Sequence, residues 1–244
     1  MPDGVIDLAL GVLAAGISAA IGWFARTYLW RRKLRRKRVF LGLPKDGEAL
    51  LVTNRQASGN DHAVHRYDAY ALIELAALIK ECGAHTQIVS HDSTSQGFGT
   101  RAEFCIGGPV SNRRMAAHLE TLLPGVAVNV DLDPSVNPEH GAYAIGGRRY
   151  PMDMGKVEYA LLARIAGDGD AWPTFLFCGQ SAITNQATTR YLARNHEMLA
   201  RRYGSGSFCL LLKIVNSHAY GPDMTAVVAD VTSDAEAHPT AIHD

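Results

Sequence analysis

Two stretches of the chain share an order of residue types that is typical of the turn from a buried strand into a helix. One reads "FCIGGPVSNRRMAAHL" from Phe104, and the other reads "FLFCGQSAITNQATTRYL" from Phe175. Free N–H groups at a helix N-terminus bind anions, and glycine lets a ligand approach the backbone. We therefore predict ligand-binding residues at two corners: Gly107, Gly108, Ser111, Asn112, Arg113 and Arg114 in the first, and Gly179, Ser181, Thr184 and Asn185 in the second.

The same residue types also cap helices, because Ser, Thr and Asn side chains accept hydrogen bonds from the free N–H groups of the first turn. At the first corner, Arg113 and Arg114 fall in that turn, where the helix dipole opposes a cation. A bound anion would offset this repulsion, but two exposed surface arginines explain the pattern as well. Neither corner is a Walker or GxGxxG fingerprint. The corners therefore predict either a site for an anion such as a nucleotide or two structural caps.

Three further residues are weak candidates for catalysis. Cys178 ends a strand beside a helix N-terminus, which can lower a thiol pKa, although a buried structural thiol is the favoured interpretation. Glu158 shares one face of the strand "VEYALLAR" with Arg164, and two polar ends of a buried strand are favoured over a pair that faces a ligand. His218 follows an apolar strand and could reach the same edge of the sheet.

Metal and nucleic-acid partners are not predicted. His62 and His65 are three residues apart, but no third ligand of recognisable spacing accompanies them, so a polar loop is the favoured interpretation. The four cysteines form no CxxC pair, which suits a reducing compartment. The formal net charge is zero and therefore gives no support for binding to nucleic acid.

The elements that would position these residues alternate along residues 49–232. Apolar strands without polar alternation, separated by helical patterns, favour an α/β fold: one Rossmann-like domain with a mostly parallel, mixed sheet covered by helices. Within it, "GAYAIGGRRYPM" predicts a hairpin around Gly146 and Gly147. The last stretch, residues 233–244, is predicted to be a flexible tail.

The N-terminus predicts a membrane anchor over residues 1–30, with contact to the bilayer from residues 5–30. "LALGVLAAGISAAIGWF", from Leu8 to Phe24, carries no charge, and Trp23, Tyr28 and Trp30 suit the headgroup belt. "RRKLRRKR" follows in a juxtamembrane segment and linker, residues 31–48. Since basic residues stay on the cytoplasmic side, we predict a single-pass plasma-membrane protein with a cytoplasmic C-terminal domain. A cleaved signal would carry its charge before the apolar run.

Two properties of this anchor have alternative interpretations. The basic residues could bind anionic lipid headgroups, but control of topology alone is the favoured interpretation. Gly11, Ala15 and Ala19 recur every four residues and could pack two spans into a homo-oligomer. Because small residues are frequent throughout this segment, chance explains the spacing equally well.

The stretches "VEYALLARI", "PTFLFCGQSAITNQATTRYL" and "FCLLLKIVNS" together resemble a family of uncharacterised actinobacterial proteins that are labelled secreted or membrane proteins. The resemblance covers most of the chain after the linker, and the corner from Gly179 to Asn185 is its most specific part. Because the family has no established activity, the resemblance implies no catalytic residue and no cofactor. The label "secreted" conflicts with the charge asymmetry of the N-terminus.

Three functional hypotheses follow. In the first, the cytoplasmic domain binds a small anionic ligand, foremost a nucleotide; Asn112 and Asn185 orient it, and Arg113 and Arg114 meet its charge. In the second, a nucleotide-processing hydrolase or glycosyl-transfer enzyme acts through Glu158 or Cys178. In the third, both corners are structural, and the domain is a scaffold that recruits a protein partner to the membrane.

Overall fold

The computed structural model describes residues 2–55, 63–93, 99–130, 137, 139–167, 169 and 171–238. The helices are α1 (Pro2–Leu41), α2 (Arg66–Glu81), α3 (Arg113–Leu122), α4 (Ala182–Tyr203), α5 (Ser217–Tyr220) and α6 (Thr232–Glu236). The strands are β1 (Glu48–Thr53), β2 (His85–Ser90), β3 (Glu103–Ile106), β4 (Val126–Val128), β5 (Tyr143–Ile145), β6 (Arg148–Tyr150), β7 (Val157–Ile165), β8 (Thr174–Gly179), β9 (Phe208–Val215) and β10 (Thr225–Asp230).

A seven-stranded sheet in the order β2-β1-β3-β8-β7-β9-β10 forms the centre of the domain. Strands β2, β1, β3 and β8 pair in parallel. Strand β7 is antiparallel to both of its neighbours, so β9 runs in the same direction as β8, and β10 reverses again. The predicted mixed, mostly parallel sheet of an α/β fold is therefore confirmed, with β7 and β10 running against the other strands.

Both faces of this sheet are covered, which explains why its strands are apolar at consecutive positions. Phe175 and Phe177 of β8 point to a first face, where they pack with α2, α4 and the end of α1. Leu176 and Cys178 point to the second face, which is covered by α3, α6 and the small sheet β4-β5-β6. The prediction of a sheet enclosed by helices is confirmed for the first face and holds in part for the second.

The predicted hairpin around Gly146 and Gly147 is confirmed. It joins β5 to β6, and both glycines have positive φ, 56° and 74°. Such a turn requires left-handed backbone at both central residues, which glycine adopts without a steric penalty. Tyr143 of β5 is buried and donates its hydroxyl hydrogen to the backbone oxygen of Cys178 at 2.8 Å. This bond fastens the small sheet to the central one.

Helix α1 runs without a break through the basic part of the predicted juxtamembrane segment and linker, residues 31–48, and ends at Leu41. Residues 31–41 contain neither Gly nor Pro, and the helix ends before Gly42, which has a φ of 65°. Phe40, Leu41 and Leu43 are buried in the first face of the core. The apolar helix is therefore attached to the domain directly, because its last turn is part of the core.

One N-terminal helix of this chain is long and apolar enough to span a membrane. Within its Leu10–Leu41 portion, an 18-residue window has a mean hydropathy of 1.4 and contains no buried residue. Trp23, Phe24 and Trp30 are all more than half exposed. This exposed apolar surface is what lipid contact requires.

Residues 233–236, predicted to begin a flexible tail, lie in helix α6, so the tail prediction is wrong for them. Ala235 is fully buried against the second face, and its backbone oxygen accepts a hydrogen bond from the Gly125 N–H at 2.9 Å. Gly125 allows this close approach, because a Cβ atom there would collide with the Asp234 backbone oxygen. The predicted tail residues 239–244 lie outside the described residues.

Candidate functional site

A cleft of about 730 Å³ opens at the carboxyl edge of the parallel strands. Strands β1, β3 and β8 end there, as does β9, and the antiparallel β7 begins there. The helix after β1 crosses the first face, while the helix after β3 crosses the second face. Open α/β sheets bind ligands where the following helices part in this way. The fold therefore supplies a crevice at the expected edge.

Asp68, in the first turn of α2, holds the two sides of this cleft together. Its Oδ2 accepts a hydrogen bond from Asn54 Nδ2 at 2.9 Å, and its Oδ1 accepts one from Asn185 Nδ2 at 2.7 Å. Asn185 Oδ1 in turn accepts a bond from the Gly179 N–H at 2.7 Å. Asn54 Nδ2 also lies 3.3 Å from Ser111 Oγ. The network connects β1, α2, α4 and the two corners.

Asn54 and Asp68 are residues that the sequence prediction missed. Asn54 directly follows β1, and Asp68 lies three residues after the α2 N-cap residue, His65. The sequence does show a polar residue at the end of an apolar strand and an acid in the first turn of a helix, and each can indicate a functional residue. The hydrogen bond between the two cannot be read from the sequence, because it depends on how α2 packs on the sheet.

Two residues that line the cleft each carry a buried oxygen atom without a hydrogen-bond partner within the described part of the chain: Asn54 Oδ1 and Glu158 Oε1. Glu158 is 1% exposed, and its other oxygen, Oε2, accepts a hydrogen bond from the Ser217 hydroxyl. An unsatisfied buried acceptor destabilises a protein by about 1 to 3 kcal/mol. A ligand that donates hydrogen bonds to these oxygens would remove that penalty.

The first corner contributes Gly108 and Ser111 to the cleft, whereas its other predicted residues have structural contacts. Asn112 is fully buried and caps α3: its Oδ1 accepts a bond from the Met115 N–H, and its Nδ2 donates to the Ile106 oxygen. Gly107, with φ 111°, leaves room for the Asn54 side chain. The capping interpretation of Asn112 is thus supported by its contacts.

The two arginines of the first corner do not border the cleft. Arg114 forms a bidentate pair with Glu103, with bonds of 2.7 and 2.6 Å, and His118 Nε2 lies 2.8 Å from the same carboxylate. Arg113 is exposed beside this pair. Because Glu103 compensates the charge of Arg114, this arginine in a first helical turn gives no reason to expect a bound anion.

Glu103, His118 and Cys105 also have the ligand types of a metal site, and their ligand atoms lie within 4.8 Å of one another. Burial alone would raise the pKa of Glu103, but hydrogen bonds from His118 and Arg114 outweigh it and hold the pKa below its usual value. Burial raises the pKa of the Cys105 thiol well above its usual value. Arg114 already supplies positive charge at the Glu103 carboxylate, which opposes a second cation at the same group.

The second corner contributes Gly179, Ser181 and Asn185 to the cleft, and Thr184 caps α4 instead. The Thr184 hydroxyl accepts a bond from the Ser181 N–H at 3.0 Å and donates one to the Ser181 oxygen at 2.8 Å. A Cβ atom on Gly179 would collide with Thr184 and Asn185. The two corners lie side by side, since a Cβ on Gly108 would be 3.2 Å from the Gly179 oxygen.

The catalytic candidates separate by position. Glu158 and His218 border the cleft, while Cys178 is buried in the second face, where burial raises its thiol pKa to about 12. Arg164 lies towards the other end of β7 and donates to the backbone oxygens of Phe40 and Gly206. Glu158 therefore remains a candidate for catalysis. It is a buried acid that lines the cleft, and one of its oxygens has no partner among the described residues.

Basic and aromatic side chains contribute to the lining of the cleft. They are Arg55, His65, Arg66, Tyr67, His140 and His218. His65 accepts a bond from the Tyr67 N–H as the cap of α2, and its predicted partner His62 lies outside the described residues. Gln180 donates to the backbone oxygens of Gly141 and Tyr150, which fixes the small sheet over one side. The lining thus combines residues that carry buried acceptor oxygens with basic side chains.

Comparisons with other proteins identify no relative on which to base a function. A search against models of known protein families finds no match to the chain, and no curated protein matches it. The function of the cleft therefore has to be argued from its own residues.

The pH dependence of stability provides a test of the Asp68 network. Burial raises the pKa of Asp68, and hydrogen bonds from Asn185 and Asn54 offset this only in part. The folded protein therefore keeps this proton to a higher pH than the unfolded chain does. We expect the contribution of Asp68 to unfolding free energy to fall as pH rises from its usual pKa of 3.8 through the raised value. Urea unfolding of wild-type and Asp68→Asn proteins across this range measures it.

Asp223 provides the control for this experiment, because Arg194 and Arg190 lower its pKa. Asp223→Asn should change the pH slope in the opposite direction to Asp68→Asn, and it should do so below pH 3.8, because the slope from Asp223 lies between its lowered pKa and 3.8. A wild-type slope that Asp68→Asn leaves unchanged would contradict the assignment.

Proposed function

We propose that this chain is a single-pass plasma-membrane protein whose Rossmann-like domain lies in the cytoplasm and binds a hydroxyl-bearing organic phosphate, foremost a nucleotide, in the cleft. The observation that carries the proposal is the pair of buried acceptors without a partner in the described structure, Asn54 Oδ1 and Glu158 Oε1. They border a crevice at the carboxyl edge of the sheet, where this fold class binds ligands. The exposed apolar helix and its following basic residues support the anchoring and orientation.

The chemistry of the cleft favours a ligand with donors at one end and negative charge at the other. Asn54 Oδ1 and Glu158 Oε1 accept hydrogen bonds, so they select hydroxyl or amino groups such as those of ribose. Arg66, which also lines the cleft, attracts phosphate. Small-molecule sites range from about 300 to 1,000 Å³, and the cleft lies within that range. A mononucleotide satisfies each of these requirements.

An enzymatic role is the second candidate, and the geometry of Glu158 favours it. The Ser217 hydroxyl donates to one carboxylate oxygen, the other oxygen has no partner among the described residues, and Glu158 and His218 both line the cleft. A carboxylate held in this way can act as a general base or can stabilise positive charge on a sugar ring. Hydrolysis or glycosyl transfer of a bound nucleotide would use this group, and buried Cys178 would take no part.

Calorimetric titration of the detergent-solubilised full chain with a panel of nucleotides and sugar phosphates tests the proposal. Glu158→Gln keeps an acceptor for Ser217 but presents an amide to the ligand in place of a carboxylate oxygen. We expect the affinity to fall at least tenfold, since an unmatched buried polar group costs about 1 to 3 kcal/mol. The same samples, assayed for product by chromatography, separate binding from turnover.

Arg113→Ala is the matched control, because this exposed residue belongs to the first corner but does not border the cleft. The affinity of this variant for the nucleotide or sugar phosphate should equal that of the wild-type protein. Absence of heat with every ligand, in a protein with a native circular dichroism spectrum, would overturn the proposal and favour the scaffold role. An equal loss of ligand affinity in Glu158→Gln and Arg113→Ala would show that the ligand binds outside the cleft.

A further inference from the structure

A second cavity lies between the basic part of α1 and the end of α4, away from the cleft at the carboxyl edge. Its volume is about 770 Å³, and its lining includes Arg32, Arg35 and Arg36 of α1 and Arg201 of α4, with Ser205 from the following turn. We propose that this cavity, the basic groove, binds the headgroup of an anionic phospholipid. The inference rests on the proposed membrane anchoring and is independent of the nucleotide.

The charge of the basic groove is strongly unbalanced. Arg32, Arg35 and Arg36 are exposed, and none of them has an acidic partner within 4.0 Å among the described residues. The acid that lines the groove is Glu197, which lies 3.6 Å from Lys33 and 3.9 Å from Arg201. Cations contributed by two helices therefore surround a concave surface that a single phosphate group would help to neutralise.

Several basic residues of the same segments have protein partners, among them Lys37, which also lines the groove. Lys37 pairs with Glu81 at 2.6 Å, and Arg38 Nε donates to the Cys82 oxygen at 2.6 Å. On α4, Arg202 lies 3.4 Å from Asp230 and Arg194 lies 2.8 Å from Asp223. If the basic residues only set the orientation of α1 in the membrane, the number of positive charges after the apolar run is sufficient. That role explains neither why arginines on the groove side lack acidic partners nor why α4 adds Arg201 to the groove.

The position of the basic groove along α1 matches the depth of lipid headgroups. An α-helix rises about 1.5 Å per residue, so Arg32 and Arg36 lie roughly 3 and 9 Å beyond Trp30 along its axis. Trp and Tyr side chains prefer the headgroup level of a bilayer. With Trp30 at that level, the arginines reach the phosphates, and the groove opens beside the bilayer surface. This placement favours a lipid over a free anion from solution.

The test uses the full chain in micelles of an uncharged detergent. Short-chain phosphatidylglycerol is titrated in, and the thermal unfolding temperature is followed, with phosphatidylcholine of the same chain length as the comparison lipid. We expect phosphatidylglycerol to raise the unfolding temperature saturably and phosphatidylcholine to leave it unchanged. In Arg36→Gln/Arg201→Gln, the apparent lipid affinity should fall by about tenfold or more, since each basic residue near a surface contributes about 1 kcal/mol.

Arg194→Gln/Arg202→Gln is the charge-matched control, because both of its arginines lie on α4 and are paired with acids outside the groove. It should keep the wild-type affinity for phosphatidylglycerol. Equal weakening in both double variants, or no weakening in the groove variant, would overturn the proposal. An equal response to inorganic phosphate would also overturn it, because the site would then bind a free anion.

Failure of the anchoring itself gives a different result. A chain that fractionates with the soluble proteins and stays monodisperse without detergent would show that α1 does not span a membrane, whatever the response to phosphatidylglycerol. Recovery in the membrane fraction together with no response to the lipid would overturn the headgroup site alone.

Discussion

Replacing Glu103 with alanine is expected to lower the free energy of unfolding by about 3 to 5 kcal/mol, because the change leaves buried charge without a partner. Glu103 is 3% exposed and bonds to both Arg114 and His118. Urea unfolding of the detergent-solubilised full chain at neutral pH measures the loss. Glu139→Ala, which removes an exposed pair with Arg149, is the control and should change stability by about 1 kcal/mol or less.

The pH dependence of the same variant has a defined sign. The pKa of Glu103 is lowered in the folded protein, so its stabilising contribution is present above its usual pKa of 4.5 and is lost as the pH falls through the lowered value. The difference in unfolding free energy between the wild-type and alanine proteins should therefore shrink in acid. A difference below about 1 kcal/mol at neutral pH would show that the ion pair is not a major contributor.

Replacing Arg164 with methionine is expected to destabilise the domain by about 3 to 5 kcal/mol, since three hydrogen bonds from a charged donor are lost at once and the backbone oxygen of buried Phe40 loses its partner. Arg164 donates to the Phe40 oxygen at 3.0 Å and the Gly206 oxygen at 2.9 Å, and it also bonds to the Ser205 oxygen. These bonds hold the last turn of α1 to the turn before β9. Thermal unfolding of the full chain gives the loss, with exposed Arg149→Met as the control.

Limited trypsin digestion provides a second measurement on Arg164→Met. The Arg38 side chain bonds to the Cys82 oxygen in the folded protein, so the bond after Arg38 is protected while α1 is docked. We expect cleavage between the apolar helix and the domain to become faster in the variant. Unchanged cleavage together with unchanged stability would show that Phe40 and Leu41 alone hold α1 in the core.

The candidate site was predictable as two corners but not as a network. The pattern of Gly, hydroxyl residue and Asn places Ser181 and Asn185 beside the end of an apolar strand, and the structure finds both in the cleft. Asn185 reaches Asp68, which lies 117 residues away in sequence. That contact depends on the packing of α2 against α4, which no local pattern encodes.

The arginines of the first corner illustrate the opposite situation, in which a local pattern misleads. Sequence places Arg113 and Arg114 in the first turn of a helix, where they are electrostatically unfavourable. The structure adds Glu103, whose buried carboxylate on β3 compensates Arg114. The electrostatic energy of a charged side chain is the sum of its interactions with all neighbouring groups. An unfavourable interaction with the helix dipole is therefore not by itself evidence for a bound ligand.

Sequence alone determined the elements of this protein: the apolar N-terminal helix, the buried strands, the hairpin at Gly146 and the two strand-to-helix corners. These follow from local sterics and from the periodicity of apolar residues, which act over a few residues. Tertiary structure decided that α1 ends inside the core, that Asp68 joins the corners and that α4 completes the basic groove. These features are contacts between distant segments, and strand order and helix packing bring those segments together only when the whole chain folds.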